Sequence, residues 1–413
     1  MKKFILLLTV HLIAGSSIAQ NAWTTFNFSN SPMPDNTVRC LAIDHLGIKW
    51  IGTDYGLVSY HDTTWTIYQT TNSGLPHNSI RSIYIDKLNN KWIGTFNGGA
   101  ARFDDTSWTV YNMLNSGLPD DYVKGISIDS AGRKWFATIS GLAVNDDTSW
   151  TVYNIFNSPL MSNNITCILI DSNDVKSLGS LNGGLARISD TTWNVYTIQN
   201  SGIQDNSILA VDKDSIGNLW LGMPTGGLMA YTDGVTWLWY NIGSSGIQSN
   251  SINAVKVATD HRIWLGSQDA GLIVKDGLNF ISYNTSNSAI PDDYVYSVAL
   301  DDSGIVWLGT QLQGLVRFDE SLLSAEEEHL IAAKPYVYPN PNRSGILYAR
   351  ASMQKVKQVS ISDMSGKIIP LQVTDMGADV FAIDISMLPA GYYFVKTMMT
   401  DNSSYFHKLV RVR

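Results

Sequence analysis

The chain has 413 residues, with 28 basic and 36 acidic side chains, so its formal net charge is −8. Only 15% of the residues are charged, whereas 33 glycines, 13 tryptophans and 19 tyrosines are present. This composition argues against disorder, coiled coils and helical bundles, and it favours a turn-rich β protein. Residues 20–334 carry 17 basic and 31 acidic side chains, and an acidic body repels phosphate backbones. A nucleic-acid partner is therefore not expected.

The first 19 residues have the features of a secretory signal peptide. Lys2 and Lys3 form a basic start, an apolar run covers residues 4–13, and small residues at 17 and 19 precede Gln20. Because Gln20 rather than a cysteine follows the cut, a lipid anchor is disfavoured. No later apolar run reaches the roughly 18 residues that span a bilayer, so no transmembrane segment is expected.

Two aromatic columns recur with nearly constant spacing and define seven repeats. The first column consists of Trp50, Trp92, Trp135, Ser177, Trp220, Trp264 and Trp307, at spacings of 42, 43, 42, 43, 44 and 43 residues. The second consists of Trp23, Trp65, Trp108, Trp150, Trp193, Trp237 and Phe280. Each repeat predicts four short strands, which in the second repeat cover residues 80–85, 91–95, 100–103 and 108–111. Seven such units predict a seven-bladed β-propeller over residues 20–320.

The repeats are cut out of phase at the two ends of this region. Residues 23–26 form an isolated outer-strand segment, whereas the seventh repeat ends after its third strand. The first segment is therefore predicted to complete the seventh blade, which closes the ring and removes two sheet edges.

Two further columns have a structural interpretation. An Asp six residues before the first aromatic column, present in six repeats, predicts an Asx turn. A column of small residues predicts tight packing where the inner strands converge; it consists of Cys40, Ser82, Gly125, Cys167, Ala210, Ala254 and Ser297. Cys40 and Cys167 occupy equivalent places three blades apart, so they are predicted to form no disulfide.

The pattern changes after the seventh repeat. Residues 321–334 are predicted to form a short linker helix, because a capping-box sequence begins at Ser324. Residues 335–413 alternate in six or seven short strands, one of them over residues 367–373, and predict a small Ig-like β-sandwich. The overall fold class is therefore all-β.

The repeats resemble a known family. Residues 72–80, Asp86 and residues 92–95 resemble the propeller repeats in the sensor regions of Bacteroidota hybrid two-component regulators. In that family the propeller is periplasmic and contributes to ligand recognition, usually of polysaccharide fragments, so the resemblance implies a binding role. Because no kinase, receiver or membrane-spanning segment follows the repeats, direct signal transduction is not expected.

The C-terminal residues resemble the type A sorting domain of the type IX secretion system. The motif residues are Tyr338, Pro339, Asn340, Pro341, Gly366, Lys367, Gly391, Tyr392 and Lys408. The resemblance implies transport by the type IX machinery through the periplasm and the outer membrane, removal of this domain, and release or attachment at the cell surface. A carbohydrate-binding β-sandwich is the alternative.

No motif for a metal site, a cofactor or a catalytic centre is recognised, so an enzyme is less favoured than a binding module. A monomer with a polysaccharide or protein ligand is expected. A polysaccharide lyase or glycoside hydrolase and a protein-binding adhesion scaffold remain as alternatives.

Loops between the second and third strands vary most among the repeats and are the predicted binding region. The candidate ligand-binding residues are Asp54, Tyr55, Phe96, Asn97, Gln268, Asp269 and Gln311. Together with Asp35, Asp292 and Asp293, they predict an acidic arc on the rim, opposite an apolar arc near Ile139 and Leu181. In this hypothesis Tyr55 or Phe96 stacks on a sugar ring while the acidic arc binds its hydroxyls or a cation.

Overall fold

The computed structural model describes residues 22–277, 279–323, 336–338, 345–350, 356–364, 367–376, 380–399 and 404–411. The predicted signal peptide, residues 324–334 of the predicted linker, and Pro339, Asn340, Pro341 and Gly366 lie outside the described residues. Nearly all regular structure in the described part is β-strand, which confirms the predicted class. One 3-10 helix, Glu320–Leu322, follows the last propeller strand.

Seven four-stranded antiparallel sheets form blades one to seven. Their innermost strands are β2 (Val38–Ile43), β6 (Ile80–Ile85), β10 (Val123–Ile128), β14 (Ile165–Ile170), β18 (Ala210–Lys213), β22 (Ile252–Val257) and β26 (Val295–Leu300). The second strands are β3 (Lys49–Thr53), β7 (Lys91–Thr95), β11 (Lys134–Thr138), β15 (Lys176–Ser180), β19 (Leu219–Gly222), β23 (Ile263–Ser267) and β27 (Val306–Thr310).

The two outer positions complete each blade. The third strands are β4 (Leu57–His61), β8 (Ala100–Phe103), β12 (Gly141–Asn145), β16 (Leu185–Ser189), β20 (Leu228–Thr232), β24 (Leu272–Asp276) and β28 (Leu315–Phe318). The outermost strands are β5 (Thr64–Tyr68), β9 (Trp108–Tyr111), β13 (Trp150–Tyr153), β17 (Thr192–Tyr196), β21 (Thr236–Tyr240), β25 (Asn279–Tyr283) and, for blade seven, β1 (Trp23–Phe26).

The first strand closes the ring, as predicted from the phase of the repeats. β1 pairs antiparallel with β28, so that Trp23 lies opposite Phe318 and Phe26 opposite Leu315. The rings of Trp23 and Phe318 stack with centroids 3.9 Å apart. The inner strand β26 of blade seven also contacts β2 of blade one. The amino end of the propeller is therefore held by backbone hydrogen bonds and by aromatic packing.

The small-residue column faces a column of glycines in the second strands. In every blade the paired residues include at least one glycine: Cys40–Gly52, Ser82–Gly94, Gly125–Ala137, Cys167–Gly179, Ala210–Gly222, Ala254–Gly266 and Ser297–Gly309. A Cβ atom at Gly52 would lie 2.4 Å from Cys40 Sγ and 2.7 Å from Ile80 Cγ2 of the next blade. Close packing between blades therefore allows one side chain, not two, at this level of each sheet.

The repeated Asp performs two structural tasks. Asp44 Oδ1 accepts the N–H groups of Leu46 and Ile48, which forms the predicted Asx turn. Its Oδ2 accepts the indole N–H of Trp50 at 2.9 Å. The same carboxylate–indole bond recurs in four other blades, between Asp86 and Trp92, Asp129 and Trp135, Asp214 and Trp220, and Asp301 and Trp307. Each of these five tryptophans thus gains a partner for its one polar atom.

Blade four lacks this tryptophan and uses a different partner. Ser177 is buried where the other blades have an aromatic residue. Its Asp171 still forms the turn, with Oδ1 accepting the N–H groups of Asn173 and Val175. Asp171 Oδ2 instead accepts a bond from Lys213 Nζ of blade five. An interblade ion pair therefore replaces the indole contact.

Both cysteines are free, as the spacing predicted. Burial raises the pKa of the Cys40 thiol to about 12 and that of Cys167 to about 11. A thiol that stays protonated at neutral pH is a poor nucleophile. Both residues therefore contribute to packing between blades.

The C-terminal residues form two four-stranded sheets. One sheet has the order β29 (Tyr336–Tyr338), β30 (Ile346–Arg350), β34 (Val380–Asp384), β33 (Val373–Asp375); the other has β32 (Ile368–Ile369), β31 (Val356–Ser362), β35 (Gly391–Met399), β36 (Ser404–Arg411). Residues from both sheets, including Leu347, Ile361, Ile383 and Val395, share one buried cluster. The predicted β-sandwich is confirmed.

One strand prediction in this domain is wrong. Residues 367–373 were expected to form a single strand, but β32 and β33 belong to different sheets. Pro370 lies between them and has no N–H group to donate to a strand partner, so the chain crosses from one sheet to the other there.

The glycine column leads to a test of interblade packing. We expect Gly52→Ala to lower the free energy of unfolding by about 1–3 kcal/mol, because the new methyl overlaps Cys40 and Ile80. Adding Cys40→Gly recreates the Gly125–Ala137 arrangement of blade three, so the double variant should regain part of that loss. Urea unfolding of the three proteins measures both effects. A double variant less stable than Gly52→Ala alone would contradict this account.

Candidate functional site

Six of the seven inner strands contain a bulge, at which one residue leaves the regular pairing with the second strand. The residues left out of the pairing are Arg39, Arg81, Lys124, Thr166, Asn253 and Tyr296. Leu209 holds the equivalent place in blade five, just before β18. A bulge re-aims a side chain away from the face of its sheet. Because the inner strands converge around the channel, these residues meet at its mouth.

Cations from blades one to three dominate this mouth. Arg39 lies over the ring of Tyr296, with 4.6 Å from its guanidinium carbon to the ring centroid. Arg81 lies 5.1 Å from the centroid of Phe96. Both Arg81 and Lys124 face the ring of Tyr122, at 6.0 and 5.1 Å. We call Arg39, Arg81 and Lys124 the cationic arc.

Asp54 is the carboxylate that joins two of these cations. Its oxygens accept bonds from Arg39 Nη2 at 2.7 Å, Arg81 Nη1 at 2.8 Å and Ser79 Oγ at 2.8 Å. Burial opposes ionisation of Asp54, but the bonds from Arg39 and Ser79 and the two arginine charges outweigh it and lower the pKa to about 2. Asp54 is therefore charged at neutral pH and already paired.

The third cation has no such partner. Lys124 Nζ donates to the amide oxygen of Asn164 at 2.9 Å. Among the described residues, no carboxylate lies within the 4.0 Å ion-pair distance of Lys124, and Asp54 alone does so for Arg39 and Arg81. Burial, and then the charge of Arg81, lowers the pKa of Lys124. Two of the three cations are thus paired with Asp54, and the third has no carboxylate partner among the described residues.

The structure divides the predicted ligand residues into two groups. Asp54 and Phe96 contact the cationic arc, and Tyr55 follows Asp54 in the same loop. Tyr55 is 60% and Phe96 44% exposed, and Asn97 is exposed in the same loop as Phe96. Gln268 and Asp269 lie in blade six, where they accept bonds from Ser251 and Ser249. Gln311 lies in blade seven and donates its N–H to Tyr294 O.

The sector where an acidic arc was expected also contains cations. Asp54 is paired with two arginines, and Asp292 and Asp293 accept bonds from Leu312 and Thr285 within the rim loops. In addition, Leu312 is 63% exposed in the supposedly polar sector. The charged side chains at the bulge positions are cationic, and they directly precede the small-residue column. The position directly before each small residue was the sequence feature that could have revealed these cations.

A second concave region lies on the opposite face, between blades two and three, with a volume of about 430 Å³. Several of its polar groups are already paired: Trp92 donates to Asp86, Arg102 to Asn90, and Lys134 to Asp147. Its aromatic walls belong to the repeated interblade packing. None of the ligand residues predicted from the sequence lines this region.

Family models match both parts of the chain. Residues 336–412 match the model for the secretion system C-terminal sorting domain, and residues 289–311 match the two component regulator propeller. The chain joins a regulator-type propeller to a type IX secretion sorting domain. This domain directs export, and the protein is therefore secreted or located at the cell surface. A search of curated protein sequences found no match.

Solved structures show the same fold at low sequence identity. The extracellular domain of a hybrid two component system from B. thetaiotaomicron is 17% identical, with a TM-score of 0.62, over 93% of this chain and 54% of the other. PorZ, a surface component of the type-IX secretion system of Porphyromonas gingivalis, is 17% identical, with a TM-score of 0.56, over 94% and 61%. This chain thus spans about half to three-fifths of these two proteins.

A propeller enzyme is also similar in structure. Virginiamycin B lyase from Staphylococcus aureus is 14% identical, with a TM-score of 0.59, over 72% of this chain and 98% of the lyase. At such identity these similarities establish the fold alone. Within the described residues, no helix has the length and apolarity that a membrane crossing requires, and no three His, Cys, Asp or Glu side chains form a metal-binding group.

The Asp54 cluster predicts a dependence of stability on pH. The folded pKa of about 2 lies below the roughly 3.9 of an unfolded Asp, so the carboxylate stabilises the fold above about pH 4. This contribution is lost as the pH falls from about 4 towards 2. We expect Asp54→Asn to lower the Tm near pH 6, and the Tm difference from the parent to shrink at acidic pH. Circular dichroism melts at several pH values measure this Tm difference, and Asp62→Asn at an exposed position is the control. A Tm difference independent of pH would refute this assignment.

The sorting domain predicts where a truncated chain accumulates. Without residues 335–413 the chain should lose the determinant for outer-membrane passage and remain in the periplasm, while the propeller stays folded because its core clusters contain residues 22–323 only. Cell fractionation with protease digestion measures location and folding together, with the full chain as control. Truncated protein at the cell surface would show that these residues are not needed for export.

Proposed function

We propose that the exported propeller is a recognition module that binds saccharide at the channel mouth formed by blades one and two. The observation that carries this proposal is the pair of exposed aromatic side chains, Phe96 in contact with Arg81 of the cationic arc and Tyr55 directly after Asp54 in the chain. An exposed aromatic ring offers a flat apolar face, and sugar rings present matching C–H surfaces. Arginine, amide and hydroxyl groups around it can bind sugar hydroxyls.

These two rings differ from the other aromatic residues of the propeller. Trp50, Trp92 and their equivalents are buried between blades and recur because packing requires them. Tyr55 and Phe96 occur in loops where blades three to seven carry no aromatic residue. A functional site on a symmetric scaffold must break its symmetry, and these loops do so without disturbing the core.

The backbone of Tyr55 and the ring of Phe96 are held in place by polar and aromatic neighbours. The Tyr55 N–H donates to Thr53 Oγ1, and Gln69 Nε2 donates to Tyr55 O. Phe96 packs edge-on against Tyr122 with ring centroids 4.8 Å apart. The guanidinium carbon of Arg81 lies 5.1 Å from the centroid of the Phe96 ring. A pre-positioned platform lowers the entropy lost on binding.

A glycan array probed with residues 20–413 tests the proposal. We expect binding to at least one glycan class, and at least a tenfold loss of affinity in Tyr55→Ala/Phe96→Ala, because both stacking faces disappear. Phe156→Ala is the matched control, since Phe156 is an 89% exposed aromatic residue in the loop that enters blade four. Thermal melts should be unchanged in both variants. Equal losses in the double variant and the control would move the site elsewhere.

Experiments with the same protein distinguish a binding module from an enzyme and from an adhesion scaffold. Shortening of a bound polysaccharide during incubation would indicate a lyase or hydrolase rather than a binding module. Absence of glycan binding, together with co-purification of a surface protein, would favour the adhesion scaffold.

A further inference from the structure

We infer that the saccharide bound at this mouth is acidic and that its carboxylate or sulfate group binds between Arg81 and Lys124. This inference rests on the proposed function, because it specifies the chemistry of the ligand at the same site. It follows from the charge balance of the mouth and from hydrogen-bonding capacity that the folded chain leaves unused.

Lys124 is the first element of the anion site. It is partly buried, and its one described hydrogen bond goes to the neutral amide of Asn164. A cation that loses water without gaining an anion is destabilised. The ring of Tyr122, 5.1 Å away, compensates only a fraction of this cost. An incoming anion would supply the missing partner.

Arg81 is the second element. Its Nη1 donates to Asp54, whereas its Nε is buried and has no partner among the described residues. The planar guanidinium lies beside Phe96, and the side chain remains 17% exposed. Guanidinium groups recognise carboxylate and sulfate oxygens with directed N–H bonds. Arg81 and Lys124 also face the same ring, Tyr122, so one anionic group can lie between them.

Asp54 limits the excess positive charge of the site. It neutralises one of the three positive charges of the cationic arc and fixes the side chains of Arg39 and Arg81. Within this cluster two positive charges remain in excess, on a body whose residues 20–334 carry 31 acidic side chains. A polyanion is repelled elsewhere on this body and attracted at the mouth. The exposed rings of Tyr55 and Phe96 favour an anionic sugar over an acidic peptide.

The test compares acidic and neutral glycans on one array, with residues 20–413 as the probe. The acidic members carry either carboxylates, as in oligogalacturonate, or sulfates, as in chondroitin sulfate; methyl-esterified oligogalacturonate is the matched neutral probe. We expect acidic glycans to bind at least tenfold more tightly than neutral ones, and their affinity to fall as NaCl is raised. Preference between the carboxylated and sulfated members identifies the anionic group.

Lys124→Gln is the decisive variant, because glutamine keeps an amide donor for Asn164 while it removes the charge. We expect it to weaken acidic-glycan binding about tenfold, with an unchanged Tm. Arg81→Gln should weaken binding further, and Lys87→Gln should not, since Lys87 lies in the exposed β6–β7 turn on the opposite face. If Lys124→Gln fails to fold, a shallower salt dependence in Arg81→Gln than in the parent tests the same contact.

The outcomes distinguish failure of the acidic-saccharide inference from failure of the proposed function. Neutral glycans that bind as well as acidic ones, with affinity unchanged in Lys124→Gln, would overturn this inference and leave the proposed function standing. Failure to bind any glycan would overturn both. Binding of polyglutamate as tight as that of the acidic glycans would show a general anion site and would refute the assignment to saccharide.

Discussion

The constraint on which the structure depends is the convergence of seven sheets around one channel. The inner strands approach so closely that each blade tolerates one side chain, not two, at the level of the Cys40–Gly52 pair. One residue before this level, the inner strand bulges and its side chain leaves the sheet. Packing therefore restricts side-chain size at one position of the inner strand but not at the preceding, bulged position. The bulged positions lie at the mouth of the channel, where core packing does not determine which residue is present.

This division explains which features could be predicted from the sequence. The columns of tryptophan, aspartate and small residues repeat because every blade needs the same contacts, so blade number and ring closure were predictable. The strands of the second repeat agree with β6 to β9 for the same reason. The 367–373 segment was misjudged because alternation cannot show that Pro370 sends the chain into another sheet. Residues without a repeat, such as those of the mouth, carry no comparable periodic information.

The cations of the mouth were missed because the charge of the mouth depends on contacts between distant residues. Asp54 was correctly placed on the rim, but its partners Arg39 and Arg81 lie 15 and 27 residues away and come from two different blades. Considered alone, Asp54 indicated an acidic arc, whereas its two arginine partners add positive charge at the same place. The aromatic candidates Tyr55 and Phe96 stood out in the sequence, since the equivalent loops of the other blades have no aromatic residue.

A single shared carboxylate suits this mouth better than none or two. Without Asp54, the guanidinium groups of Arg39 and Arg81 would repel each other and would be free to turn towards solvent. A second carboxylate would leave only one excess positive charge and would give Lys124 an internal partner. With one carboxylate, the arginines are held in fixed positions and Lys124 keeps its charge uncompensated by any described carboxylate. The two arginines are therefore positioned before any ligand binds, and the anion that we propose as ligand would supply the charge partner that Lys124 lacks.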